Sequence, residues 1–207
     1  MDVQPTINII QLPRDNGGIR VAVRNPRTVS LPVTFEVVER TINPDGTETQ
    51  TPADDLFTIF PNQANIAPGK TQAVRVQFAG TATNKSRSFT LYAVEVPVDM
   101  SQSGQTGVQR ILRIGASVHV TTATTRPKPV LEAAAAASNG TKVTIRNDGD
   151  RFVYIDALSL DFGSKKVEGT ALADIAGRTL ITPGAKREFV IPGVSGQPSL
   201  KVIGPIL

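Results

Sequence analysis

The chain has no cysteine, no tryptophan and a single histidine, His119, in 207 residues. Without thiolates there is neither a disulfide framework nor a cysteine metal site, and one imidazole cannot assemble the usual zinc ligand set. Two tyrosines and eight phenylalanines offer little surface on which bases could stack. The net charge of +4 comes from singly scattered Lys and Arg rather than a basic stripe, so no nucleic-acid partner is expected. Apolar runs of about 18 residues or more, long enough to cross a bilayer as a helix, are also missing, and no membrane insertion is expected. There is no Gly-rich phosphate loop, nucleophile elbow or zinc-protease helix, so no catalytic residue, cofactor or metal is assigned. The acidic stretches Asp54-Asp55 and Asn147-Asp148-Gly149-Asp150 read as turns; the second lacks the ligand spacing and closing Glu of a calcium loop. Met1 leads directly into polar, strand-like sequence without an apolar leader core. That fits either a cytosolic protein or an exported one whose leader has been removed.

What is present is a punctuated β pattern. The chain is 40% hydrophobic, enough to bury real cores, and its fifteen prolines and seventeen glycines are spread along its length. Val3 to Ile10 is a first apolar segment, closed by Leu12-Pro13 and the turn Asp15-Asn16-Gly17-Gly18. Ile19 to Arg24 alternates apolar and charged residues, as a strand with one face on a core does. After Asn25-Pro26 comes a strand over Leu31 to Val38, then Asn43-Pro44-Asp45-Gly46, where Asp-Gly between β-formers signals a hairpin. Leu56 to Phe60, Ala73 to Phe78, Phe89 to Val96 and a long final segment from Gly107 to Thr122 complete about seven short strands, the pattern of a β-sandwich.

Thr124-Thr125-Arg126-Pro127-Lys128-Pro129 interrupts this pattern and reads as a stiff linker. The following Ala133 to Ala137 favours helix by propensity alone. Pro129 before it and Ser138-Asn139-Gly140 after it leave too few residues, so strand or irregular edge is expected. The second half then echoes the first. Gly18 to Asn25 and Gly140 to Asn147 share apolar spacing and a closing Arg-Asn, and Ala67-Pro68-Gly69-Lys70 matches Thr182-Pro183-Gly184-Ala185-Lys186. Asn and Pro are 43 residues apart in the first half and 36 in the second, which implies a duplicated architecture.

With catalysis unsupported, attention falls on surfaces. An unpaired strand edge can take up another strand, and the segment near 107–122 is long for a strand. One of its parities carries Leu112, Ile114, Ala116, Val118 and Val120; the other carries Ile111, Arg113, Gly115, Ser117 and His119. The apolar row can feed the domain's own core, overhang it toward a partner, or do both.

These motifs together resemble the periplasmic chaperones of the chaperone–usher pathway, which assemble bacterial pili. Ile19 to Asn25 with Pro26, Phe60-Pro61 followed by Ile66 to Val76, and Phe89 to Pro97 ending Val94-Glu95-Val96-Pro97 are similar to that family's segments in the same order. The resemblance implies an all-β chain of two immunoglobulin-like β-sandwiches in tandem, arranged as a boomerang. Residues 1–122 would form the N-terminal domain with a donor strand, 123–128 the linker and 129–207 the C-terminal domain. It implies a chaperone, not an enzyme, that binds pilus subunits lacking their last strand, lends its own strand through Leu112, Ile114, Ala116 and Val118, and delivers them to an outer-membrane usher. Location in the periplasm, with the leader already removed, is implied as well. Typical members anchor the subunit's terminal carboxylate with an Arg on the first strand and a Lys near the end of the donor strand. Here Ile9 and His119 fall at those positions. Histidine is the weaker carboxylate partner unless acidic neighbours keep it cationic. Arg20, Arg75, Arg87 and Arg113 are further candidates for a bidentate anchor. A tandem immunoglobulin-like structural or adhesive surface protein is the alternative.

Overall fold

The computed structural model describes residues 1–97, 111–177 and 179–204. Among the described residues the fold is all-β apart from one short α-helix and two single-turn 3-10 helices, and its contacts divide the chain into two units. The first contains Met1–Glu39, Thr51–Thr81 and Phe89–Val120; the second contains Arg40–Gln50, Ala82–Ser88 and Thr121–Leu207.

Among the described residues of the first half run ten strands: β1 (Asp2–Gln4), β2 (Ile7–Leu12), β3 (Ile19–Arg24), β4 (Leu31–Ile42), β5 (Glu48–Pro52), β6 (Phe57–Phe60), β7 (Gln63–Ile66), β8 (Thr71–Phe78), β9 (Arg87–Glu95) and β10 (Arg113–Thr122). They form two sheets, ordered β1-β3-β8-β6 and β2-β10-β9-β4-β5, with β7 paired to β4. The single segment expected over Val3 to Ile10 is two strands in different sheets. The break falls at Pro5, which has no N–H to donate to a ladder. The segment expected over Leu31 to Val38 runs on to Ile42 and turns back at Asn43–Thr47, where the Asp-Gly signal lies. Alternation places Val21, Val23, Val74 and Val76 in the core while Arg20, Arg24 and Arg75 face outward. Phe57, Phe78 and Phe89 pack edge-on or tilted against one another within that core, at centroid separations of 4.9–6.1 Å.

The second half holds β11 (Pro129–Ala137), β12 (Gly140–Asn147), β13 (Val153–Tyr154), β14 (Leu158–Asp161), β15 (Lys166–Glu168), α1 (Gly169–Ala176), β16 (Leu180–Ile181), β17 (Lys186–Pro192) and β18 (Ser199–Val202). The alanine run is a strand, β11, at the edge of the β11-β12-β17 sheet. Helix α1 has no counterpart in the sequence reading; it buries Leu172, Ala173 and Ala176 against the second core.

The duplicated landmarks perform the same task twice. Asn25 and Asn147, both fully buried, close the strands β3 and β12. Asn25 Nδ2 donates to Val29 O and Ile66 O, each at 2.8 Å. Asn147 Nδ2 donates to Arg151 O at 2.7 Å and Ile181 O at 3.1 Å. In each case the amide ties the loop after the strand to the residue just before the Pro-Gly turn, adding a donor to buried backbone carbonyls.

In the second unit Arg187 is 2% exposed. Its guanidinium donates to Pro44 O at 2.8 Å and to Ala176 O, and burial makes it a weaker base than usual, an effect Asp45 opposes. Gly46, at φ +93°, lies so close that a Cβ would stand 2.5 Å from the guanidinium. Replacing Arg187 by Ala removes two charge-assisted donors and opens a void. The expected loss is about 2–4 kcal/mol of stability, read as a lowered urea midpoint with faster amide exchange at Glu188, whose N–H also reaches Pro44 O.

Candidate functional site

Strand β10 changes character along its length. At its end, Val118, Val120, His119 and Thr121 are all buried, so both faces are covered. Toward its start only one row stays inside: Ala116 and Val118 are each 1% exposed and belong to the first core, Ile114 packs against that core from its border, and Leu112 is half-buried. Ile111, on the other parity, is 54% exposed. The apolar row therefore runs continuously from a closed core outward to Leu112. Of the expected long strand over 107–122, residues 107–110 lie outside the described residues.

The neighbours of β10 hold this geometry. Ser117 N–H donates to Thr6 O at 2.8 Å, and the buried Asn8 donates through Nδ2 to Ser117 O at 3.2 Å and Pro5 O at 2.9 Å. Gly115 lies against β9, where a Cβ would stand 2.7 Å from Thr90 Cγ2 and 2.8 Å from the Tyr92 ring. That close approach requires glycine. The Arg113 guanidinium lies over the Tyr92 ring at 3.4 Å, while Arg113 Nη2 pairs with Glu36 at 3.2 Å.

At its start the strand is tied by Glu95. Glu95 N–H donates to Leu112 O at 2.8 Å, and Leu112 N–H points to Glu95 Oε2 at 3.4 Å. Arg27 grips the same carboxylate with both arms, Nη1 to Oε1 at 2.5 Å and Nη2 to Oε2 at 2.9 Å. The hydrogen bond from Arg27 is the main reason that the Glu95 carboxyl lies below the usual carboxylate range, desolvation opposing it. A depressed folded-state value contributes stability that is present above the ordinary Glu value of about 4.3 and is lost as pH falls through the folded value. Acid titration of the first unit should therefore show a loss below about pH 4.3 that is diminished in Glu95→Gln. Parallel acid unfolding curves of the two proteins check this.

The sequence-expected residues fall into separate places. Leu112, Ile114, Ala116 and Val118 do lie on one row of one strand, but Ala116 and Val118 are already committed to the unit's own core. His119 is fully buried and engaged within the chain, so as placed it presents no surface to an incoming carboxylate. Arg20 and Arg75 stand opposite one another on β3 and β8; Arg75 donates to Gly17 O at 2.6 Å and contacts Gln77. Arg113 is taken up by Tyr92 and Glu36, and Arg87, at the start of β9, is half-buried with interactions of its own. Of the candidate anchors among the described residues, Arg20 and Arg75 are the pair brought together. Sequence reasoning missed Arg27: it singled out Asn25-Pro26 and Glu95, but their joining across 68 residues has no linear signature.

No protein-family model matches the chain, and no curated protein matches it either. Solved structures do. A chain of the CsuC–CsuE chaperone–tip adhesion subunit pre-assembly complex from archaic chaperone–usher Csu pili of Acinetobacter baumannii superposes with a TM-score of 0.65 at 16% identity, over 97% of this chain and 96% of that one. The E. coli chaperone DraB gives 0.62 at 15% identity, over 92% and 84%. A chain of the Salmonella enterica SafA pilin–SafB chaperone complex gives 0.62 at 14% identity, over 98% and 95%. The chain has the two-domain, immunoglobulin-like fold of these chaperones.

Proposed function

We propose that this chain is a periplasmic chaperone for pilus subunits, lending β10 to an immunoglobulin-like domain that lacks its last strand and passing it to an outer-membrane usher. The single observation that supports this most is the apolar row of β10, which leaves the core at Ala116 and continues through Ile114 to the partly buried Leu112. A strand-deficient sandwich exposes an apolar groove and an unpaired edge, and a strand carrying alternate apolar side chains covers both. The likeness in fold to chaperones solved with a tip adhesion subunit and with a pilin supports the same reading. The donor row is narrowed to Leu112 and Ile114, because Ala116 and Val118 are occupied at home. In this proposal residues 1–122 carry the donor strand, 123–128 link, and 129–207 form the second domain. The carboxylate anchor is proposed among the exposed arginines, Arg20 and Arg75 first.

The test is co-expression with a pilin domain whose final strand is deleted. A soluble one-to-one complex is the expected result. A pilin that aggregates equally with and without the chain would overturn the proposal.

A further inference from the structure

We infer that Arg27 and Glu95 form a clamp that fixes where the donor strand begins, making them positioning residues for subunit binding. The inference rests on the reading of β10 as a donor strand and goes beyond it, because neither residue belongs to the donated row.

Glu95 is the last residue of β9 and meets the chain again at Leu112, the residue before β10. Its main-chain N–H and its carboxylate both address Leu112, on the O and N–H respectively. A carboxylate at a strand end can rotate freely unless something holds it, and Arg27 holds both oxygens at once. The planar guanidinium fork sets an orientation that a point charge could not. Arg27 is itself fixed from below: its N–H donates to Oδ1 of the buried Asn25 at 3.0 Å. The chain of contacts thus runs from a buried core amide to Arg27, to Glu95, to the first residue of the donor row. Val96 N–H donates to Pro32 O of β4 at 2.9 Å, so the backbone just after Glu95 is tied to β4 and cannot drift away from it. A donor strand held in register before it meets its partner loses less conformational freedom on binding.

The experiment uses the whole chain and two readouts. Amide exchange is followed at Glu95 and Leu112 in the free protein, with Val21 and Val74 as core references. Affinity is measured for a pilin domain lacking its final strand. Arg27→Ala and Glu95→Gln should each speed exchange at the two clamp amides about tenfold, the size of one charge-assisted hydrogen bond, with the core references unchanged. Affinity should fall by a similar factor. The double variant should be no worse than either single one, as coupled partners require, and Arg27→Lys should restore only part of the protection. Unchanged exchange at Glu95 and Leu112 would overturn the clamp, and so would acceleration shared equally by Val21 and Val74. If the unaltered chain binds no pilin, the donor-strand function fails, and the exchange data alone decide whether the clamp exists.

Discussion

Substituting Asp at both Leu112 and Ile114 is expected to abolish protection of a strand-deficient pilin while the chain itself stays folded. Both side chains lie at the border of the core and are only partly buried in the free protein, so a carboxylate at either position can turn to water. In a complemented subunit each would be enclosed in an apolar groove. Burying a large aliphatic side chain contributes about 1.5–3 kcal/mol, so losing two removes about 3–6 kcal/mol. At tenfold per 1.4 kcal/mol this is about a hundredfold to ten-thousandfold in affinity, before the added cost of burying charge. Light scattering by refolding pilin measures the effect, and circular dichroism of each variant verifies the fold. Val118→Asp makes an instructive contrast. Its side chain lies in the first core, so that variant should unfold the first unit instead of merely disarming it. Pilin protected equally well by the double variant would remove Leu112 and Ile114 from the function.

The second large effect concerns the paired asparagines. Asn147→Ala leaves Arg151 O and Ile181 O without their donor, and the N–H groups of Lys128 and Gly149 without their acceptor, Oδ1, at 3.0 Å each. Unsatisfied buried groups cost about 1–3 kcal/mol each, and relaxation recovers part of this, so a net loss of about 3–5 kcal/mol is expected. Asn25→Ala strips one partner fewer, Val29 O, Ile66 O and the Arg27 N–H, and should cost about 2–4 kcal/mol. Urea unfolding measures both, and amide exchange should place each loss in its own unit. The Asn25 variant should also loosen Arg27, and with it the Glu95 carboxylate. Midpoints unmoved by either substitution would show that water replaces these amides without penalty.

The fold was legible because its signals are local. Alternation over Ile19 to Arg24, the Asp-Gly turn at Asn43–Thr47 and the Pro-Gly turns each need only a few neighbouring residues, and all stand where the pattern places them. The Asn landmarks were visible as a repeat, but not as hydrogen-bonding plugs, since their acceptors at Ile66 and Ile181 are more than thirty residues away. Helix α1 escaped notice because eight residues give little periodicity to read. The site was harder still. Parity alone assigns Leu112, Ile114, Ala116 and Val118 to one face, but not where along that face the core ends. That limit depends on how far the opposing sheet extends. Burial likewise separated His119 from the exposed arginines, a distinction that residue type could not make.

Because the chain has no cysteine, one introduced thiol is unique, and this permits the most direct measurement of the central claim. Leu112→Cys is paired in turn with single cysteines lining the groove of a strand-deficient pilin, and Thr58→Cys, on the exposed side of β6, serves as the control. Disulfide formation in the complex at position 112, and not at 58, is the result the account predicts. A complex that forms yet cross-links through 58, or never through 112, would contradict it.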